Sequence, residues 1–219
     1  MAADTRTELR GQYRALLAGY TDDIVSMCEQ ARSGMATASL ALLEIDLEAA
    51  ETAISNSDAV VDTQRQCEAR ALELLALQAP VASELRRVMA YIRIEDHLVR
   101  MANLAKLVAK ISRQHYPDYA VPEDVRTEIA AMAEAVDEMA ALTAEFLREP
   151  DADAARELDA ADEPVDEAAS KLAALAKDKA WAHTACEAVE TALIARYYER
   201  FADHCVAIGQ QVVFITGER

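Results

Sequence analysis

The run Arg196-Tyr197-Tyr198-Glu199-Arg200-Phe201-Ala202-Asp203-His204 decides how the whole chain is interpreted. It lies in a segment, 181–216, that contains no proline and a single glycine. Apolar residues recur there at steps of three and four, which predicts one buried face of a long α-helix. The residues of that face are Leu193, Tyr197, Phe201, Cys205, Ile208, Val212 and Ile215.

A pair of acids lies on another face of this predicted helix. Glu199 and Asp203 are four residues apart, so their carboxylates are one turn from each other. Two like charges at this spacing cost about 0.2–0.5 kcal/mol in an isolated helix, and a bound cation would offset that cost. A solvated face is the simpler explanation, because Arg196 and Arg200 each precede an acid by three residues. One pair alone leaves both interpretations open.

Composition and charge restrict the class of protein. The chain has 219 residues, five glycines, five prolines and 5% aromatic residues, which is typical of an all-helical protein. A net charge of −17 argues against binding to nucleic acids or anionic membranes, and it favours binding to metal cations and basic proteins. No apolar run is long enough to span a bilayer, and the polar segment 1–13 lacks a signal core. We therefore expect a cytoplasmic protein without direct membrane insertion.

The cysteines and histidines show no metal-ligand spacing. The cysteines lie far apart without a Cys-x-x-Cys pair, which predicts reduced and mostly buried side chains at Cys28, Cys67, Cys186 and Cys205. His97, His115 and His183 are interpreted as structural or solvated. His204 is interpreted as an edge residue, or as a hydrogen-bond donor to a ligand, rather than as a ligand itself.

Three helices are predicted in the first half of the chain. The first runs from Thr5 to Ile54 and ends at the cluster Ser55-Asn56-Ser57-Asp58, which caps the next helix. The second runs from Asp58 to Leu77, where Gln78-Ala79-Pro80 interrupts it. The third runs from Val81 to Gln114.

The helical pattern starts again after a linker at 117–122, which contains two prolines. Further helices are predicted at 123–148, 151–160, 162–179 and 181–216, with Pro164 in the first turn of the third of them. The order long, medium, long therefore occurs twice. It predicts an all-α fold built as a tandem pair of antiparallel three-helix bundles, at 1–116 and 123–219.

Acidic positions repeat between the two halves. Asp58-x-x-x-Asp62 opens the second helix of the first half, and Asp162-x-x-x-Asp166 opens its counterpart in the second half. The third helices align at an offset of 100 residues, which places 98–103 over 198–203. A duplicated acidic pattern at matching places is harder to explain by solvation alone.

These features together resemble the PhoU family, the phosphate-signalling regulators of bacteria, in its actinobacterial form. The resemblance covers nearly the whole chain, including the duplication. Its carriers are Leu75-Ala76-Leu77-Gln78-Ala79-Pro80-Val81-Ala82-Ser83-Glu84-Leu85-Arg86, Arg93-Ile94, Arg100-Met101, Tyr198-Glu199-Arg200-Phe201-Ala202-Asp203-His204 and Val213-Phe214-Ile215-Thr216-Gly217-Glu218.

The resemblance implies two tandem three-helix bundles, each with an acidic set that holds a metal cluster in several members. In this chain the C-terminal set would be Glu199 and Asp203 with Asp162 and Asp166. Carboxylate ligands from two helices suit Mg²⁺, Ca²⁺ or Mn²⁺, and Zn or Fe would also be accepted. No organic cofactor is implied.

The N-terminal set departs from the family pattern. Asp58 and Asp62 are present, but Val99 and Asn103 occupy the positions that match the acids of the last helix. Valine cannot bind a cation, and asparagine offers one neutral carbonyl oxygen. Glu95, one turn before Val99, leaves a shifted site open. We predict that metal binds in the C-terminal bundle and that the N-terminal site is weak or absent.

The resemblance implies a cytoplasmic negative regulator of phosphate uptake and phosphate-starvation signalling. Such a protein would bind the ATPase of a Pst-type phosphate transporter and a sensor histidine kinase, would form a homodimer, and would be associated with the membrane only through the transporter. No catalytic step is needed, and the sequence has neither a Gly-rich phosphate loop nor a Gly-x-Ser-x-Gly elbow.

Two alternatives do not involve phosphate. A di-metal oxidase would need an acid three residues before a ligating histidine, but the residues at these positions are Ile94, Ser112, Ala180 and Phe201. This alternative is therefore disfavoured. A carboxylate-bridged metal-binding protein, or a plain helical scaffold with solvated acids, remains open.

Overall fold

The structure, a computed structural model, describes residues 2–77 and 82–217, with side chains for 10–76 and 82–217. These residues form six α-helices and no strand, which confirms the all-α prediction. The helices are α1 (Ala2–Glu44), α2 (Leu47–Leu77), α3 (Ala82–His115), α4 (Glu123–Arg148), α5 (Ala152–Ala176) and α6 (Ala185–Thr216). The predicted break at Gln78-Ala79-Pro80 and the helix start at Val81 lie outside the described residues.

The helices form the two predicted three-helix bundles. Helices α1, α2 and α3 pack against one another, as do α4, α5 and α6, while α1 also contacts α4 and α3 contacts α6. Arg32 on α1 donates two hydrogen bonds of 2.7 Å to the carboxylate of Asp137 on α4. One continuous apolar core runs through both bundles. The domain boundaries at 116 and 123 therefore remain a prediction.

The duplication is visible in the burial of the third helices. Residues 91–105 and 191–205 show the same succession of buried, half-buried and exposed positions. The offset of 100 residues found in the sequence therefore holds for the packing as well. It places Val99 and Asn103 where Glu199 and Asp203 lie in the second bundle.

The break between α1 and α2 occurs ten residues earlier than predicted, at Ile45 and Asp46. Ile45 takes a left-handed backbone conformation with φ of 57°. The carboxylate of Asp46 accepts a hydrogen bond of 3.0 Å from the N–H of Ala49, so Asp46 caps α2. The predicted cap, 55–58, lies inside α2 instead, where Ser57 is buried.

The second bundle differs from the prediction in helix α5. It is one continuous helix that contains Pro164 well inside it, rather than two pieces with Pro164 in a first turn. Proline removes one backbone hydrogen bond, but buried apolar residues on both sides of it, including Leu158 and Val165, hold the helix against the core.

Helix α6 begins at Ala185 rather than at Trp181. Thr184 and Glu187 form a capping box in which each side chain bonds the backbone N–H of the other. The predicted apolar face is also partly wrong, because Tyr198 is fully buried while Leu193 is 39% exposed.

Candidate metal centre

Three carboxylates meet where α5 faces α6. Asp162 and Asp166 lie one turn apart on α5, and Asp203 lies on α6, with ligand oxygens of all three within 4.8 Å of one another. Nearly two turns further along α6, an added Cβ at Gly209 would lie 2.9 Å from the carbonyl oxygen of Ala155, so the two helices are in close contact there. The local sequence thus brings acids from two helices together.

This carboxylate cluster contains a buried oxygen atom that makes no hydrogen bond to any of the described residues. Oδ1 of Asp162 is buried and has no hydrogen-bond partner among the described residues. Burial, followed by the charges of Asp166, Asp203 and Glu199, raises the pKa of Asp162 to about 6. Burial also raises the pKa of Asp166, with Glu199 and Asp203 adding to the effect. A bound cation would offset both the burial of these carboxylates and the repulsion between them.

Glu199 lies beside this cluster but is held differently. Its carboxylate forms an ion pair with Arg196, one turn earlier on α6. The charge of Glu199 still acts on Asp162 and Asp166, so it lies within electrostatic reach of both. Of the four predicted C-terminal ligands, the structure brings three together and pairs Glu199 with an arginine.

The matching acids of the first bundle are exposed and paired with cations. Asp58 accepts a bond of 2.8 Å from Nζ of Lys106, and Asp62 is bonded at 2.8 Å to Arg65. Their side chains are 73% and 69% exposed. Across the described ranges, neither aspartate belongs to a converging group of three metal-ligand side chains.

Glu95 is a buried acid whose environment was not predicted. It is 2% exposed and accepts a hydrogen bond from the hydroxyl of Tyr20. Burial raises the pKa of Glu95 to about 7, and the charges of Glu68 and Asp96 add to the effect. In the sequence, the only indication that Glu95 is buried is its alignment with the apolar residue Ala195, at the offset of 100 residues.

His204 faces away from the carboxylate cluster and towards the seam between the bundles. It is buried, and its Nδ1 lies 3.2 Å from Nδ1 of His97 on α3. Burial lowers the pKa of His204 to about 4, helped by the charges of His97, Arg200 and Arg100. We conclude that His204 packs the two bundles together.

Cys186 departs from the expectation of buried cysteines, because its side chain is exposed. The physical reason is its place near the start of α6, where the helix has not yet entered the core. It joins His115 and Glu190 in a second converging group, with ligand atoms within 4.8 Å of one another. The sequence gives no sign of this group, because His115 lies on α3 and the other two residues lie on α6.

The carboxylate cluster fits a divalent cation, because its donors are all oxygens and its buried Oδ1 has no other partner. The fold and the cluster define a class of protein: tandem three-helix bundles in which two helices of the second bundle bring three carboxylates together. None of the described helices combines the length and apolar character that a bilayer crossing requires.

The PhoU domain model matches residues 24–112 and again 129–212, and the chain belongs to this family. The resemblance found in the sequence is thereby confirmed. In Mycobacterium tuberculosis, the phosphate-specific transport system accessory protein PhoU homolog 1 is 37% identical over 95% of both chains. PhoU homolog 2 of the same organism is 34% identical, over 94% of this chain and 97% of its own.

Solved structures show the same fold. PhoU from Pseudomonas aeruginosa superposes with a TM-score of 0.85 at 20% identity, over 94% of this chain and 99% of its own. The phosphate transport system regulatory protein PhoU from Streptococcus pneumoniae gives a TM-score of 0.82 at 24% identity, over 94% and 98%. These likenesses confirm the tandem bundles.

Proposed function

We propose that this protein is a negative regulator of phosphate uptake and of phosphate-starvation signalling. The observation that carries the proposal is the family match in both repeats, together with full-length relatives named as accessory proteins of the phosphate-specific transport system. The role in phosphate transport follows from these relatives. Repression of starvation genes is the finer step that we propose.

The regulator would act by contact rather than by catalysis. In this proposal it lies in the cytoplasm, forms a homodimer, and binds the ATPase of a Pst-type transporter and a sensor histidine kinase through exposed helix faces. Its net charge of −17 favours basic surfaces on both partners. The membrane association would then be peripheral, through the transporter.

We further propose that a divalent cation binds the C-terminal bundle at Asp162, Asp166 and Asp203, with Glu199 beside them. When bound, the cation would neutralise the clustered charge and fasten α5 to α6. The buried and unpartnered Oδ1 of Asp162 supports this site. In the first bundle, ion pairs with lysine and arginine at Asp58 and Asp62 favour a weak or absent site.

The regulatory role is tested by deleting the gene and measuring the expression of a phosphate-responsive reporter. We expect starvation genes to be expressed in high phosphate, and a plasmid copy to restore repression. Co-purification of the transporter ATPase and of the kinase from cells tests the contacts separately. Unchanged reporter expression after deletion would contradict the regulator and favour a metal-binding helical protein without a phosphate role.

A further inference from the structure

Three side chains with different metal-binding atoms meet where the end of α3 lies beside the start of α6. His115 is the last residue of α3, while Cys186 and Glu190 lie one turn apart on the first turns of α6. Nε2 of His115 is 3.6 Å from Oε1 of Glu190, and one ligand atom of each of the three residues lies within 4.8 Å of the others. The group contains nitrogen, sulfur and oxygen donors.

The glutamate of this group has one carboxylate oxygen that makes no hydrogen bond to the described residues. Oε2 of Glu190 is buried and has no hydrogen-bond partner in the part of the chain that the structure describes. Its other oxygen is too far from His115 for a good hydrogen bond, and the two side chains are only 16% and 24% exposed. A buried carboxylate oxygen without a partner indicates a missing cation or water.

The nearby glutamate of α6 is already engaged. Glu187 accepts hydrogen bonds from the backbone N–H and the hydroxyl of Thr184, at 2.9 and 2.7 Å. It is therefore not available to the group. The capping box also fixes the first turn of α6, which sets the direction of the Cys186 and Glu190 side chains.

We propose that His115, Cys186 and Glu190 form a zinc-class metal site that ties α3 to α6. A mixed nitrogen, sulfur and oxygen donor set is typical of Zn²⁺, whereas Mg²⁺, Mn²⁺ and Ca²⁺ prefer oxygen donors alone. This site would therefore select a different metal from the carboxylate cluster of Asp162, Asp166 and Asp203. It does not depend on the proposed regulator function.

One of the three ligand separations is close to that of a tetrahedral zinc centre. With metal–ligand bonds of about 2.0–2.3 Å, ligand atoms lie about 3.3–3.6 Å apart. The separation between His115 and Glu190 already has this length, at 3.6 Å. Zinc binding would release the thiol proton of Cys186 to solvent, and His115 would bind as the neutral imidazole through Nε2. The fourth position would hold water, because Cys186 faces solvent.

Cobalt substitution tests the site with a readout that does not depend on activity. Co²⁺ bound to a thiolate gives a sulfur-to-metal charge-transfer absorption, which an all-oxygen site cannot give. We expect one Co²⁺ per chain with this absorption, and displacement of the cobalt by Zn²⁺. Since the other three cysteines are buried, zinc should also protect Cys186 from a thiol reagent.

Matched variants separate this site from other binding. Cys186→Ser should remove the absorption, and His115→Gln should weaken zinc binding at least about tenfold. His183→Gln is the control, because that exposed histidine is paired with Asp124 outside the group. Asp162→Asn/Asp203→Asn should leave the absorption intact. The proposal is overturned if the native chain binds Co²⁺ without the charge-transfer absorption, or if Cys186→Ser retains it.

Discussion

The protonation of one buried side chain, Glu95, makes the stability of this fold depend on pH. Its carboxyl group lies in the first bundle with a tyrosine hydroxyl as hydrogen-bond donor and with Glu68 and Asp96 nearby. The folded pKa of about 7 is above the ordinary value of 4.5. The folded state therefore keeps a proton on Glu95 at pH values where the unfolded chain has lost it.

Glu95→Gln should stabilise the protein at pH 8 by about 1–3 kcal/mol. The stabilising effect of protonated Glu95 is fully present below pH 4.5 and is lost as the pH rises to about 7. Glutamine is neutral throughout and can still accept the bond from Tyr20. Urea unfolding at pH 4.5 and pH 8 measures the difference, which should be small at the lower pH.

Glu138→Gln is the control for this prediction, since it removes the same charge from an exposed position in the other bundle. An equal gain from both variants, or a loss from Glu95→Gln at pH 8, would contradict the buried-acid explanation. If Glu95 instead belonged to a shifted metal site, its replacement would reduce stability when Mn²⁺ is present.

The sequence predicted the faces of the acidic residues but not all of their partners. Helical spacing placed Asp162 and Asp166 on one face of a helix, and the family resemblance joined them with Asp203 of another helix. The pairing of Glu199 with Arg196 was visible as a competing interpretation, and spacing alone could not decide between the two. Cys186 and His115 could not be connected, because their proximity depends on how α3 packs against α6.

At the scale of helices, the close contact between α5 and α6 depends on one glycine. A Cβ at Gly209 would lie 2.9 Å from the carbonyl oxygen of Ala155 and 3.3 Å from a methyl carbon of Leu158. Backbone cannot move aside as a flexible side chain does. The contact therefore needs a residue without a side chain.

Gly209→Ala should destabilise the protein by about 1–3 kcal/mol, although alanine normally favours a helix. Gly11→Ala is the matched control, because nothing lies within 4 Å of its added Cβ. That variant should be stabilised by up to about 1 kcal/mol. Urea unfolding measures both, and a similar gain from the two variants would show that α5 and α6 are not in close contact at Gly209.

The helix break at Ile45 and Asp46 is a second prediction at this scale. Asp46→Ala removes the side chain that caps α2 and should cost about 1 kcal/mol. Ser55→Ala lies inside α2 on an exposed position and should change stability by less than about 0.5 kcal/mol. Thermal unfolding of the two variants compares them, and a larger loss for Ser55→Ala would place the break where the sequence suggested it.

The sequence could not locate this break because its signals were ambiguous. Serine, asparagine and aspartate at 55–58 favour caps, but packing of Ser57 and its neighbours against the core holds them in a helix. An isoleucine in the left-handed conformation gives no recognisable signal, since that backbone position usually favours glycine. Tertiary contacts outweighed the local preferences.

For the whole molecule, the duplication was the most reliable signal in the sequence. The count of long and medium helices and the offset of 100 residues predicted two bundles, and the packing reproduces both. The shared core along α1, α4, α3 and α6 was not predicted, because the apolar pattern of a helix does not specify which partner covers it. The repeat of two three-helix bundles therefore followed from the sequence, whereas the contacts between the bundles required the structure.

We propose that this duplicated molecule has one carboxylate cation site, in its C-terminal bundle. Equilibrium dialysis of the full chain against Mn²⁺ tests it most directly, with Asp162→Asn/Asp203→Asn and Asp58→Asn/Asp62→Asn measured in parallel. Each double variant removes two negative charges, so any difference between them reports the location of binding. Manganese favours oxygen ligands, so it should bind the carboxylate cluster rather than the cysteine-containing group.

We expect the wild type and Asp58→Asn/Asp62→Asn to bind Mn²⁺ with the same affinity, and Asp162→Asn/Asp203→Asn to lose it. Equal loss in both variants would show that the first bundle also holds a cation despite Val99 and Asn103. Retention of Mn²⁺ by Asp162→Asn/Asp203→Asn, or no saturable binding by the wild type, would contradict a cation site at these carboxylates.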